Sequence, residues 1–266
     1  MTQEPTHSNG ISSVPHKILV MSGKGGVGKT TVSVNLAFSM ALAGKKVGII
    51  DVDFHGPNVP LMTGTEGTMA AGSEGTIHPV QSPKHENVNV MSISSFMGDP
   101  DKPIIWRGPM KIGAIRQFFN EGVWNDRDVV IIDCPPGTGD EPLSVAQELS
   151  GADGVIVVTS PQDVSLLDSR KSINFAKQLN LPVLGVVENL SGFVCPCCGE
   201  ESLIFKKGGG EKAAHSMEVP FLGRIPITAA FVESGDSGNP LVVSAPDDSA
   251  SQVFTRMASS ILDSWK

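Results

Sequence analysis

The sequence predicts a doubly wound α/β fold, a mostly parallel sheet with helices on both faces, and three observations carry that prediction. Short β-branched runs recur along the chain, helix-length segments separate them, and aspartates stand where several of the runs end. The runs are KILVM (17–21), KVGII (46–50), DVVIID (128–133), GVIVVTS (154–160) and PVLGVVEN (182–189). Continuous apolar runs of this length suit strands covered on both faces, as parallel sheets require. Between them Thr30 to Ala43, Gly108 to Glu121, Glu141 to Leu149 and Asp163 to Leu179 read as helices, which gives the alternation of a doubly wound sheet.

The remaining segments fill in around this frame. Residues 64–83 are rich in Gly, Ser, Thr and Pro, and NVNVMSI (87–93) then resumes a strand pattern, so an excursion at the sheet edge is expected there, not a domain boundary. The last helix, Ala250 to Trp265, places Val253, Phe254, Met257, Ala258, Ile261, Leu262 and Trp265 on one stripe. With only Arg256 and Lys266 as basic residues there, core packing is expected over membrane anchoring. Residues 1–16 hold no apolar run and read as a flexible tail, leaving 17–266 as a single domain.

Composition narrows the function. Aspartate and glutamate outnumber lysine and arginine 28 to 20, and the net charge of −8 disfavours a non-specific hold on nucleic acid or anionic lipid. No apolar run approaches a membrane span, so a cytoplasmic protein is expected. Four cysteines do not make a secreted disulfide scaffold in 266 residues. Cys195, Cys197 and Cys198 instead crowd into CPCCG, a density that points to metal or redox chemistry.

The string GKGGVGKT, Gly23 to Thr30, satisfies the phosphate-loop pattern and lies after a strand and before a helix, where the mechanism needs it. Gly23, Lys24, Gly25, Gly26, Val27, Gly28, Lys29, Thr30 and the following Thr31 form the candidate nucleotide cradle. Backbone N–H groups curl round the phosphates, Lys29 reaches the terminal ones, and the Thr30 hydroxyl ligates magnesium. Asp51 and Asp53 end the second strand and Asp133 ends a later one, at the edge where doubly wound sheets bind ligands. Asp133 is the candidate Walker-B carboxylate for magnesium, and Asp53 the candidate orienter of the attacking water; the alternative for Asp53 is a turn cap.

Lys24, an extra lysine after the first glycine of the loop, resembles the deviant Walker A signature of the MinD/ParA/nitrogenase-iron-protein class of dimeric ATPases. The resemblance implies that Lys24 reaches across a homodimer to the partner's phosphates. DVDFHGPNVP (51–60), IIWRGPM (104–110), DCPPGTGDE (133–141), VENLSGFVCPCCG (187–199) and GRIPI (223–227) together resemble the Mrp/ApbC family of iron–sulfur cluster carrier ATPases, over nearly the whole chain from Lys17 onward. That resemblance implies slow Mg-dependent ATP hydrolysis, adenine recognition by Asn189, and a labile 4Fe-4S cluster on Cys195 and Cys198, bridging two subunits and passed to apo iron–sulfur proteins. Cys197 fills the family's variable position. No cysteine precedes Cys134, so a second, tightly held cluster is not expected, and neither is an N-terminal accessory domain.

Ligand arithmetic points the same way without the family. A tetrahedral site or an iron–sulfur cube takes about four protein ligands, while this chain offers one C-x-x-C pair and no histidine at finger spacing, so two chains supply four thiolates most simply. Three other readings stay open. They are a thiol–disulfide oxidoreductase, a MinD/ParA-like ATP-dependent positioning switch, and a dimer bridged by structural zinc.

Overall fold

The apolar runs become strands of one eight-stranded sheet in the computed structural model, which describes residues 10–68, 71–73, 75–96, 107–149 and 151–266. In chain order the elements are β1 (His16–Ser22), α1 (Lys29–Leu42), β2 (Val47–Asp51), α2 (Val59–Thr63), β3 (Ala71–Ser73), β4 (Thr76–His78), β5 (Val80–Gln81), β6 (Val88–Ser92), α3 (Gly108–Asn120), β7 (Val129–Asp133) and α4 (Asp140–Glu148). There follow β8 (Gly154–Thr159), α5 (Asp163–Gln178), β9 (Val183–Glu188), β10 (Phe193–Val194), β11 (Glu201–Ser202), α6 (Gly209–Ser216), β12 (Phe221–Arg224), α7 (Ala229–Asp236), α8 (Leu241–Ser244) and α9 (Ser249–Asp263). The sheet runs β12-β9-β8-β1-β7-β2-β6-β5, parallel throughout except for β5 against β6. The fold is the doubly wound α/β sheet that the strand and helix alternation predicts.

Burial explains why the runs carry no polar alternation. In β1, Ile18 and Val20 join a layer with Val34 and Phe38 of α1 and Phe254 and Met257 of α9. Their neighbours Leu19 and Met21 join the opposite layer, with Ile115 and Phe118 of α3, Val145 of α4 and Ile173 of α5. Val129 and Ile131 of β7 divide from Val130 and Ile132 in the same way. Both faces are dry, so the central positions of each strand are apolar and polar residues fall at its ends. In α9, Val253, Phe254, Met257, Ala258 and Ile261 are buried and Leu262 and Trp265 pack beside them, the core role expected of the stripe. The Asp248 carboxylate starts this helix by accepting from the Ala250 N–H at 2.8 Å. Among the described residues no helix is long and apolar enough to cross a membrane.

The excursion after α2 is the hairpin β3–β4 followed by β5, which joins β6 antiparallel at the sheet edge; residues 69, 70 and 74 of it lie outside the described residues. The expected tail needs correction. Residues 1–9 lie outside the described residues, but residues 10–16 are built into the domain: a 3₁₀ turn at Ile11–Ser13 leaves Ile11 only 5 % and Val14 2 % exposed in the layer of α3. His16 then opens β1, its ring 2.9 Å from the Asp153 carboxylate and stacked on Trp265 at 3.8 Å. Two apolar side chains three apart are enough to anchor one turn, although they make no run in the sequence.

Candidate functional site

The phosphate loop fills the turn between β1 and α1, at the edge where β2, β7 and β9 also end. Gly26 and Gly28 take φ of +78° and +81°, a region open to glycine at little cost and one that turns successive N–H groups toward a common concavity. A Cβ on Gly25 or Gly26 would meet nothing within 4 Å, whereas one on Gly28 would lie 2.1 Å from Asn189 Nδ2. Gly23 answers to packing: a Cβ there would run into the Asp168 backbone of α5 at 2.3 Å.

Charge is concentrated behind the loop. Lys29 Nζ lies 2.9 Å from Asp133 Oδ1 and 3.8 Å from Asp53 Oδ2. Burial alone would pull the Lys29 pKa down, but Asp133, then Asp53 and Asp51, outweigh it and the net shift is upward. Asp133 is fully buried and accepts from Thr30 Oγ1 and Ser33 Oγ, each at 2.7 Å. The Thr30 hydroxyl and the Asp133 carboxylate make an all-oxygen donor pair under an open glycine cradle, a set that fits magnesium.

Of the two aspartates expected at the end of the second strand, Asp51 ends β2 and Asp53 lies two residues beyond it, and their surroundings differ. Asp51 is fully buried, and burial, reinforced by Asp133, pushes its carboxyl up to about 8. It accepts from the Asp53 N–H at 3.1 Å, the Val59 N–H at 3.3 Å and Ser92 Oγ at 3.1 Å, so it braces the start of α2. Asp53 lines the cleft instead. Burial shifts its carboxyl upward too, and its Oδ1 accepts from the His55 N–H at 3.2 Å.

The cleft holds about 530 Å³. Its walls are the loop from Gly25 to Thr31, Asp53, Pro136, Leu190, and side chains of α7 and the residues before it, including Ile227, Phe231 and Asp236. Lys24 is half-buried and does not belong to that lining, and its carbonyl accepts from Ser22 Oγ at 3.0 Å. Asn189, 1 % exposed, supports the loop from behind by donating Nδ2 to the Val27 carbonyl at 2.9 Å. Its Oδ1 has no partner among the described residues.

The cysteine string forms the tip of the hairpin β10–β11. The Cys195 N–H donates to the Glu200 carbonyl and the Gly199 N–H back to the Cys195 carbonyl, both at 2.9 Å, with Gly199 at φ +74° closing the turn. The N–H groups of Cys198 and then Cys197 aim at the Cys195 sulfur and hold its thiol below the ordinary range. Cys195 is half-buried, and Cys197 and Cys198 are exposed. Cys134 is buried at the end of β7, and burial pushes its thiol up. Among the described residues no three His, Cys, Asp or Glu side chains gather as a metal site.

Several participants are invisible to motif reading. Ser33 is one of several small polar residues on α1, with nothing in the sequence to set it apart from Thr31, Asn35 or Ser39. Lys111 of α3 meets His55 and Glu141, and the wall from Ile227 to Asp236 comes from a region without a nucleotide motif. Of IIWRGPM, residues 104–106 lie outside the described residues, and Arg107 precedes α3.

A glycine-rich phosphate loop backed by a buried lysine and aspartate, at the carboxyl edge of a parallel sheet, defines a P-loop nucleotide-binding protein. More narrowly, the chain belongs to the NUBPL iron-transfer P-loop NTPase family, whose model matches residues 13–262. It is 48 % identical over 253 residues to the iron–sulfur cluster carrier protein of Methanocaldococcus jannaschii, covering 95 % of this chain and 86 % of that protein. It is 43 % identical to the cytosolic Fe-S cluster assembly factor CFD1 of Eremothecium gossypii, over 95 % and 93 % of the two chains. Among solved structures, the nucleotide-binding protein of Archaeoglobus fulgidus in complex with ADP matches with a TM-score of 0.76 at 37 % identity, covering 87 % of this chain and 89 % of that one. The cell division ATPase MinD of Pyrococcus furiosus matches with a TM-score of 0.71 at 26 % identity, covering 93 % and 98 %.

Proposed function

We propose that the protein is a slow Mg-dependent ATPase that carries a labile 4Fe-4S cluster between the Cys195 and Cys198 thiolates of two identical subunits and delivers it to apo iron–sulfur proteins in the cytoplasm. The observation that carries this reading is the shared wall between cleft and cysteine hairpin. Ile227 lines the cleft, donates its N–H to the Gly192 carbonyl at 2.8 Å and accepts from the Val194 N–H at 3.0 Å, so the root of the hairpin is hydrogen-bonded to the wall of the nucleotide pocket. Exposed Leu203, Ile204 and Phe205 follow the hairpin directly, and an apolar surface beside two under-coordinated thiols suits burial against a second copy.

In this reading the loop N–H groups and Lys29 bind the phosphates, and Thr30 and Asp133 hold magnesium, which neutralises phosphate charge when bound. Asp53 orients the attacking water. Asn189 reads the adenine amino group in this proposal, which requires its Oδ1, buried behind the loop, outside the cleft lining and unpartnered among the described residues, to become exposed when nucleotide binds. Lys24, outside its own cleft lining, acts on the partner's phosphates. Lys24→Ala is therefore expected to bind ATP normally per subunit while losing hydrolysis and ATP-dependent dimer closure, checked by phosphate release and sedimentation. A wild-type rate per chain that does not change with protein concentration counts against a role in trans.

Anaerobic reconstitution with iron and sulfide tests the whole proposal. About four irons and four sulfides per dimer, with a visible absorption band lost on transfer to an apo acceptor, are expected. Zinc in place of iron, with no sulfide retained, would instead establish the zinc-bridged dimer.

A further inference from the structure

We infer that Lys111 is a positioning residue for ATP hydrolysis, a buried cation that ties the loop carrying Asp53 to the loop that begins after Asp133. This rests on the ATPase reading above. Lys111 lies in the first turn of α3 and is 7 % exposed. Its ammonium donates to His55 Nε2 at 3.0 Å and to Glu141 Oε1, and sits 5.5 Å over the Phe54 ring. The same Glu141 oxygen is 3.4 Å from His55 Nε2, so the three groups close on one another.

Each contact leads toward the reacting end of the cleft. His55 and Phe54 directly follow Asp53, and the His55 N–H already holds Asp53 Oδ1 at 3.2 Å. Glu141 stands in the first turn of α4, at the end of the segment that leaves β7 from Asp133. A lysine that only stapled α3 to α4 would need Glu141 alone. Lys111 also reaches two residues that belong to neither helix, and so links the position of the Asp53 carboxylate to that of the Asp133 loop. A buried ammonium without partners is costly, which keeps this link from dissolving into solvent. Lys111 does not line the nucleotide cleft, so its effect on turnover passes through Asp53 and not through contact with ATP.

The test uses the full chain, with phosphate release from Mg-ATP for kcat and KM and a fluorescent ATP analogue for affinity. Lys111→Met is expected to lower kcat about tenfold or more while analogue affinity stays within about twofold, because orientation and not binding is lost. Lys111→Arg should recover part of the rate by restoring the charge. His55→Ala changes a side chain that is 70 % exposed, so it leaves folding intact; it should lower kcat without raising KM, and add little to Lys111→Met. Wild-type kcat in His55→Ala and Lys111→Met overturns the inference, as does equal loss of affinity and kcat. Should Lys111→Met fail to fold, His55→Ala decides alone. A wild-type protein that binds ATP and never hydrolyses it removes the ATPase reading, and this inference with it, whereas a hydrolysing wild type with unaffected variants removes only the inference.

Discussion

Lys29→Ala is expected to abolish measurable nucleotide binding. Lys29 is the one lysine or arginine among the described residues that line the cleft, and it faces a polyanion across a floor that already holds Asp133 and Asp53. In the wild type its ammonium is 2.9 Å from Asp133, so its removal strips the phosphates of their counter-charge and leaves a buried carboxylate unbalanced beneath them. A charged hydrogen bond contributes roughly 1.5–3 kcal/mol, and adding the repulsion from the bare carboxylates brings the expected loss to at least about a hundredfold in Kd. Calorimetric titration with Mg-ATP measures it, with circular dichroism to establish that the variant is folded. Asp53→Ala provides the contrast. That carboxylate repels phosphate and touches the loop only through Lys29 at 3.8 Å, so binding should persist while turnover stops. Equal loss of affinity in the two variants removes the water-orienting role of Asp53.

How much of this was legible in the sequence follows from how local each signal is. The strands from Lys17 and Val129 were readable because both faces of each are buried, so hydrophobicity alone marks them. The helices at residues 29, 140 and 249 each begin one residue before their expected starts, the ordinary slack of helix ends. The phosphate loop is one contiguous string, and its Gly26 and Gly28 are legible because glycine reaches φ near +80° at little cost. Lys111 was not legible. Its partners lie 56 and 30 residues away, and a lysine in the first turn of a helix carries no sign that the fold will bury it. Asn189 was named only through the family resemblance, as a reader of adenine; the contact of its side chain with the loop spans 162 residues and leaves no local sign. The anchoring of residues 10–16 escaped because Ile11 and Val14 form no periodic pattern, and their burial depends on a surface built by α3.

The cysteines give the second large effect. Cys195→Ala and Cys198→Ala are each expected to lose nearly all reconstituted iron, from about four per dimer to near none, whereas Cys134→Ala and Cys197→Ala keep it. One chain presents two thiols in the C-x-x-C register at the tip of β10–β11, and a cube takes four protein ligands, so one substitution in a homodimer would remove two ligands at once. Cys195 is prepared for ligation by the N–H groups that stabilise its thiolate. Cys198 is exposed at the far side of the same turn and free to face a partner. Cys134 cannot substitute, since burial holds its thiol protonated at the end of β7, away from solvent. Cys197 is exposed as well, but stands between the paired positions, where its loss leaves their spacing intact. The same exposure would make the proposed cluster labile, so chelator should strip it from the reconstituted wild type within the time of an assay. Iron and sulfide are measured per dimer after anaerobic reconstitution of the four single variants. Retention of about four irons by both Cys195→Ala and Cys198→Ala would end the shared-cluster model, because it would mean that neither of the paired thiols is needed.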